Sequence, residues 1–175
     1  TYGVSWEFNG PIYEPLWRGI DRVDAVPTIK SGLDRLKSWT DRHDAVNALY
    51  HYVYPQFLAK LVLLAGFALF VLVETLRRQH PVAATGRIFG AMILAMATVY
   101  PWYLLVVLPW AALAKRRSWL VLSALLPLCY LPQHVGGVDL FPWVWAVIWL
   151  PFFALLPFDG PWKLPVENTS WRESD

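Results

Sequence analysis

Charge is what this sequence has least of. From Ile88 to Phe158 its only Asp, Glu, Lys or Arg residues are Lys115, Arg116, Arg117 and Asp139. Across the whole chain 16% of residues are charged and 57% hydrophobic, whereas an ordinary soluble domain carries roughly 25% charged residues. A stretch so poor in charge is expected to be solvated by lipid. Cysteine is nearly absent too. Cys129 stands alone in an apolar run, which excludes an internal disulfide and reads as a small buried hydrophobe. Glycine-rich phosphate loops, His-Glu-x-x-His, paired Cys-x-x-Cys and Gly-x-Ser-x-Gly are all missing, so no familiar soluble-enzyme motif is present. His43, His51, His80 and His134 are dispersed, and no metal site is read from them. A net charge of +2 with no concentrated basic face argues against a nucleic-acid partner. No internal repeat or low-complexity tract occurs. The first 30 residues hold no apolar signal core, and the chain opens on Thr1 rather than Met, the expectation being a processed or partial piece of something longer.

What is there divides into three parts. Residues 1–55 are the charge-rich region, 56–157 the apolar region and 158–175 a polar tail. In the first part Ile12, Leu16, Ile20 and Val23 recur at helical spacing, as do Ile29, Leu33 and Leu36, with Pro27 and Ser31-Gly32 expected to interrupt the pattern. This predicts short amphipathic helices along a membrane surface. A third helix is expected to start at Thr40, whose hydroxyl can cap free backbone amides, and to run through Val46, Leu49, Tyr50 and Val53.

The first expected span is Gln56 to Glu74, close to the ~20 residues a hydrocarbon core requires. Residues Val82 to Ala114 allow either a hairpin turning at Pro101 or one kinked helix. Arg77, Arg78 and Arg87 before this segment and Lys115, Arg116 and Arg117 after it favour the hairpin, because only two crossings put both basic loops on the cytoplasmic side. Its second arm would be only about 20 Å long, so the Pro-Trp-Tyr tip should lie below the outer surface and leave a pocket. Trp119–Leu131 and Phe141–Pro157 complete an all-α, polytopic bundle of about five spans, separated by the polar loop 132–139. The excess of basic residues on the inner side orients residues 1–55 outward. Gly86 and Gly90 fit a small-xxx-small packing face. Of the eleven tryptophans, Trp102, Trp110, Trp119 and Trp143 fall near expected helix ends, as interfacial anchors do.

Three clusters could carry chemistry, all on the expected outer side. In Trp6–Glu14, Glu7 and Asn9 stand among aromatic rings, a combination that suits sugar binding, although on residue types alone an interfacial turn at Asn9-Gly10-Pro11 is the favoured account. Lys60 sits on one helix face with Gln56, where an ammonium can neutralise a lipid phosphate or simply snorkel. Trp102 and Tyr103, with Tyr100, would ring the pocket or anchor at the interface. Together, Trp6-Glu7-Phe8-Asn9-Gly10-Pro11-Ile12-Tyr13, Tyr54-Pro55-Gln56-Phe57 and Thr98-Val99-Tyr100-Pro101-Trp102-Tyr103-Leu104-Leu105 resemble the C-terminal half of GT-C integral-membrane glycosyltransferases of the mannosyltransferase-like group. The resemblance covers residues 1–157 in order, through motifs that are each loose. It implies transfer of a sugar from a polyprenyl-phosphate donor on the outer face of a membrane, here the bacterial cytoplasmic membrane with residues 1–55 facing the periplasm. The family's acidic base lies in an outward loop near the N-terminus, and this chain is expected to begin after that point, so no catalytic residue is assigned and the chain alone is expected to be inactive. Glu7 is the best local substitute. No cofactor is read from the sequence. The expected partners are membrane lipids, the lipid-linked sugar and other membrane subunits. A second reading is a non-catalytic accessory subunit of a larger membrane complex, photosynthetic or respiratory for example. A transporter fits less well, because the spans lack midplane ionisable residues.

Overall fold

Twenty-two residues with only Lys60 and Glu74 charged, and with Pro55 at the first helical position where its missing N–H costs nothing, form the longest helix. It is α4, Pro55–Leu76. The computed structural model describes residues 9–39, 43–77, 81–131, 142–160 and 162. Among them every regular element is helical, and the one β-type pairing is an isolated bridge between Asn9 and Thr98.

Three helices precede α4: α1 (Tyr13–Arg22), α2 (Ala25–Trp39) and α3 (His43–Tyr50). Pro27 and Ser31-Gly32 do not interrupt α2. Pro27 falls in its first turn, where amide donors have no intrahelical partner in any case. Lys37 Nζ donates to Asn47 Oδ1 at 2.9 Å and the Tyr50 hydroxyl donates to Asp34, joining α2 to α3. Asp34 raises the Tyr50 pKa above its ordinary value, because the carboxylate prefers the protonated phenol as its donor. The proposed cap at Thr40 lies outside the described residues.

After α4 the chain returns as α5 (Pro81–Ala95), breaks over residues 96–100, and continues as a 3-10 helix, η1 (Pro101–Val106), and α6 (Leu108–Leu113). The segment 82–114 is thus a hairpin, with the Phe89 and Trp110 rings 6.5 Å apart between its arms. The first arm stops at Ala95, before the expected turn, since Pro101 forces Tyr100 into extended backbone (φ −99°, ψ 156°) and the preceding residues pack against Asn9 and Gly10 instead of continuing the helix. Next come α7 (Arg117–Leu125) with η2 (Leu126–Tyr130), then α8 (Trp143–Leu155) with η3 (Leu156–Phe158). Helix α6 ends in a Schellman-type cap: Arg116 N–H bonds Ala111 O at 2.8 Å and Lys115 N–H bonds Ala112 O at 3.1 Å, with Lys115 at φ 53° where glycine is usual.

Five successive passes therefore run up and down between two ends. One end holds Asn9, the 96–100 turn and Tyr130; the other holds Glu74, Arg87, Arg116, Asp159 and Trp162. Between them lies one core of Ile93, Leu104, Trp119, Leu122, Trp149 and Phe152, all essentially inaccessible, with Cys129 buried in the same cluster. At 1.5 Å per α-helical and 2.0 Å per 3-10 residue, α4 is about 33 Å long and the other four passes about 21–25 Å. Among the described residues only α4, with a mean hydropathy of 2.3, is long and apolar enough to cross a membrane by itself; 81–95, 117–130 and 143–158 are shorter apolar stretches.

Candidate functional site

The 96–100 turn brings together Asn9 and Gly10 from the first cluster and Lys60 from the second. Asn9 sits in the left-handed region at φ 65°, a conformation its short amide tolerates better than most side chains. Its Nδ2 donates to Val99 O at 3.2 Å, and its Oδ1 accepts the Trp149 indole N–H at 3.0 Å. Beside it the Trp145 indole N–H donates to Gly10 O at 3.2 Å. Gly10 is pressed so closely on the turn that a Cβ there would stand 2.7 Å from Met96 O and 2.8 Å from Ala97 O. Backbone carbonyls cannot swing aside, so only glycine fits. The amide of Asn9 is thus engaged at both ends in holding the turn against α8, and the residue is 7% exposed. Glu7, its expected companion, lies outside the described residues.

Lys60 approaches the same turn from α4. It lines a cavity of about 210 Å³ with Tyr13, Phe67, Met96 and Ala97. The cavity extends along α4 from Lys60, five residues in, to Phe67, twelve residues in, while Gly10 and Asn9 meet α8 at Trp145 and Trp149, two and six residues in, so the turn is set inside the starts of both helices by about 3–9 Å.

Trp102 and Tyr103, which follow the turn, do not line the Lys60 cavity. Tyr100 and Trp102 stack at 4.5 Å with ring planes 8° apart, and Tyr103 packs edge-on to both at 6.0 Å. Tyr130, at the end of η2, closes the group 6.1 Å from Tyr100. Trp102 is 52% exposed while Tyr100 is buried beneath it. The outcome is an aromatic platform with one open indole face, the kind of surface that takes the C–H face of a sugar ring. Tyr130 was not foreseen, because it approaches Tyr100 from 30 residues away and no short-range spacing marks it.

Near the turn, one described carboxylate is buried. Glu14, 5% exposed, accepts the Trp17 indole N–H at 3.0 Å and pairs with Arg18 Nε at 3.1 Å, with the Arg18 guanidinium over the Trp17 ring. Its signal in the sequence was the i, i+3 and i, i+4 spacing of acid, indole and guanidinium.

At the opposite end two more buried carboxylates clasp elements together. Glu74 accepts Arg87 Nε at 2.7 Å and Arg77 at 3.3 Å, closing the α4–α5 hairpin. Asp159 accepts the backbone N–H groups of Arg117 at 2.8 Å and Ser118 at 3.2 Å, capping α7 from 41 residues away, and pairs with Arg116 Nε at 3.3 Å. The Arg116 guanidinium also reaches Gly160 O and lies 4.9 Å over the Trp162 ring. Burial lowers the Arg116 pKa from its ordinary value, and Asp159 works against that shift. Gly86 and Gly90 serve here as seats for indole rings. A Cβ would stand 2.9 Å from Trp162 at Gly86 and 3.0 Å from Trp119 at Gly90. No group of three or more His, Cys, Asp or Glu side chains that could hold a metal comes together among the described residues.

No protein-family model, curated protein or solved structure matches this chain.

Proposed function

We propose that this chain is a membrane-embedded portion of a GT-C-like glycosyltransferase, with the recessed turn and its flanking groups forming the outward-facing surface that binds a polyprenyl-phosphate-linked sugar. Support for the membrane comes from α4. Only 6% of its most apolar window is buried, and Leu61, Val62, Leu64, Leu69, Leu72, Val73 and Leu76 are exposed. Leaving these side chains in water would forfeit on the order of 10 kcal/mol, as much as the net stability of a typical domain. In this reading the five passes cross the bacterial cytoplasmic membrane, and those shorter than ~30 Å leave the turn below the outer surface.

The observation that carries the sugar reading is the half-open aromatic platform of Tyr100, Trp102 and Tyr103 next to a turn that Lys60 approaches from α4. Lys60 would offset the charge of the donor phosphate while the Trp102 face takes the sugar ring, with Tyr103 holding that face in place. Glu7 remains the proposed partner for sugar hydroxyls. The test is transfer from a polyprenyl-phosphate sugar by membranes carrying the full-length protein. Trp102→Ala and Lys60→Ala should each lower transfer at least tenfold with the protein level unchanged. Full activity in both variants would remove this assignment.

A second reading, a non-catalytic subunit of a larger membrane complex, is favoured by one observation. The amide of Asn9 is spent on Val99 and Trp149 and not presented to a ligand. Stoichiometric copurification with a larger complex, together with absence of transfer by the wild-type protein, would select it.

A further inference from the structure

Helix α2 has an apolar side, yet none of its residues is buried. At about 100° per residue, Val26, Ile29, Leu33 and Leu36 fall within about 80° of one another, while Ser31, Arg35 and Ser38 lie on the opposite side. Ile29 and Leu36 are exposed, and Trp39, at the end of the helix, is 90% exposed. A helix of this length draws most of its stability from an apolar face packed against something. Helix α3 does not cover the stripe. Its bonds reach Lys30 O, 3.3 Å from the Tyr50 hydroxyl, together with Asp34 and Lys37, and those three residues centre about 90° round α2 from the stripe.

The place where α2 is held points to what covers it. Tyr50, which fastens α2, comes five residues before Pro55, the first residue of α4. The Tyr52 N–H bonds Leu49 O at 3.0 Å and the Val53 N–H bonds Tyr50 O at 3.3 Å, folding this link into a turn, so the middle of α2 stands close to the start of α4. Tyr52 and Tyr54, both exposed, pack there against Phe57 at 5.3 and 5.8 Å, an aromatic group of the kind found at headgroup level. Leu49 on α3 is exposed, as are Leu61 and Val62 on α4, so exposed apolar side chains continue from the α2–α3 pair into the face of α4 assigned above to lipid. Helix α1 differs, being packed on the bundle through Tyr13, which lines the Lys60 cavity.

We propose that α2, carried on α3, docks on the outer leaflet of the membrane, with Ile29, Leu33 and Leu36 at the boundary of headgroups and acyl chains, Trp39 among the headgroups, and Ser31, Arg35 and Ser38 towards water. The inference rests on the membrane placement of α4 and is independent of sugar transfer. It gives the chain a second lipid contact, lying along the surface beside the point where α4 enters.

The test is nitroxide accessibility in the full-length protein, reconstituted in vesicles of phosphatidylcholine and phosphatidylglycerol. In a Cys129→Ser background, spin labels are attached to single cysteines in Ile29→Cys, Leu36→Cys, Ser31→Cys and Ser38→Cys, with Leu69→Cys on the exposed face of α4 as the reference for lipid. All five positions lie at the surface, so the variants are expected to fold. The ratio of collision with oxygen, which enriches in lipid, to collision with a water-soluble nickel chelate should be at least threefold higher at 29 and 36 than at 31 and 38. Equal ratios at these four positions overturn the inference. A lipid-like ratio at 69 with water-like ratios at 29 and 36 removes the α2 contact and keeps the membrane placement, whereas water-like ratios at 69, 29 and 36 remove both. Labels at 29 and 36 shielded from both reagents would mean that a protein covers the stripe, which overturns the lipid assignment.

Discussion

Asn9 shows how one side chain fixes a local shape. It supplies a positive φ, a donor for Val99 and an acceptor for Trp149, and no other residue type provides all three. Asn9→Ala would strand the Trp149 N–H, lose the bond to Val99 and strain the backbone, for an expected destabilisation of roughly 3–5 kcal/mol. Thermal unfolding in detergent checks this; if Asn9 acts on a ligand only, the variant unfolds at the wild-type temperature. The sequence marked Asn9-Gly10 as a turn but could not show what it turns against, since Trp149 lies 140 residues away and periodicity carries no information at that range. The same holds for Asp159, which caps a helix 41 residues before it. Cys129 was readable because burial in an apolar run depends only on its neighbours.

At the scale of the element, α4 was legible almost to its ends, because a largely apolar run of 22 residues that opens on Pro55 and is followed by Arg77 leaves little choice. The hairpin could be inferred from two basic loops and one proline, while the early end of α5 could not, being set by packing against Asn9 and Gly10. Gly86 and Gly90 were correctly read as a close-packing face, but the partners are rings from Trp119 and Trp162, a distinction that depends on the chain's later course. Because Leu69 lies about 5 Å from the midpoint of α4 and is 61% exposed, Leu69→Arg should cost up to about 2.5–3.5 kcal/mol of insertion free energy. The expected result is a several-fold smaller carbonate-resistant fraction; an unchanged fraction would mean that α4 does not face lipid.

At the scale of the molecule, two chemically different ends are joined by five passes. One is an aromatic turn that Lys60 approaches; the other is a set of arginines held on buried carboxylates. The membrane-spanning reading requires these ends to face opposite compartments. The gathering of Arg77, Arg87 and Arg116 at one end was partly legible from the basic loops, whereas the buried acids that hold Arg87 and Arg116 emerge only when distant helices meet.

Compartment accessibility tests that arrangement most directly. In a Cys129→Ser background, single cysteines are placed at Tyr54, before α4, and at Lys115, after α6, and intact cells are treated with a membrane-impermeant maleimide. Tyr54→Cys should label in intact cells, and Lys115→Cys only after permeabilisation. Labelling of both from the same side would contradict a chain that carries its two ends to opposite faces of a membrane.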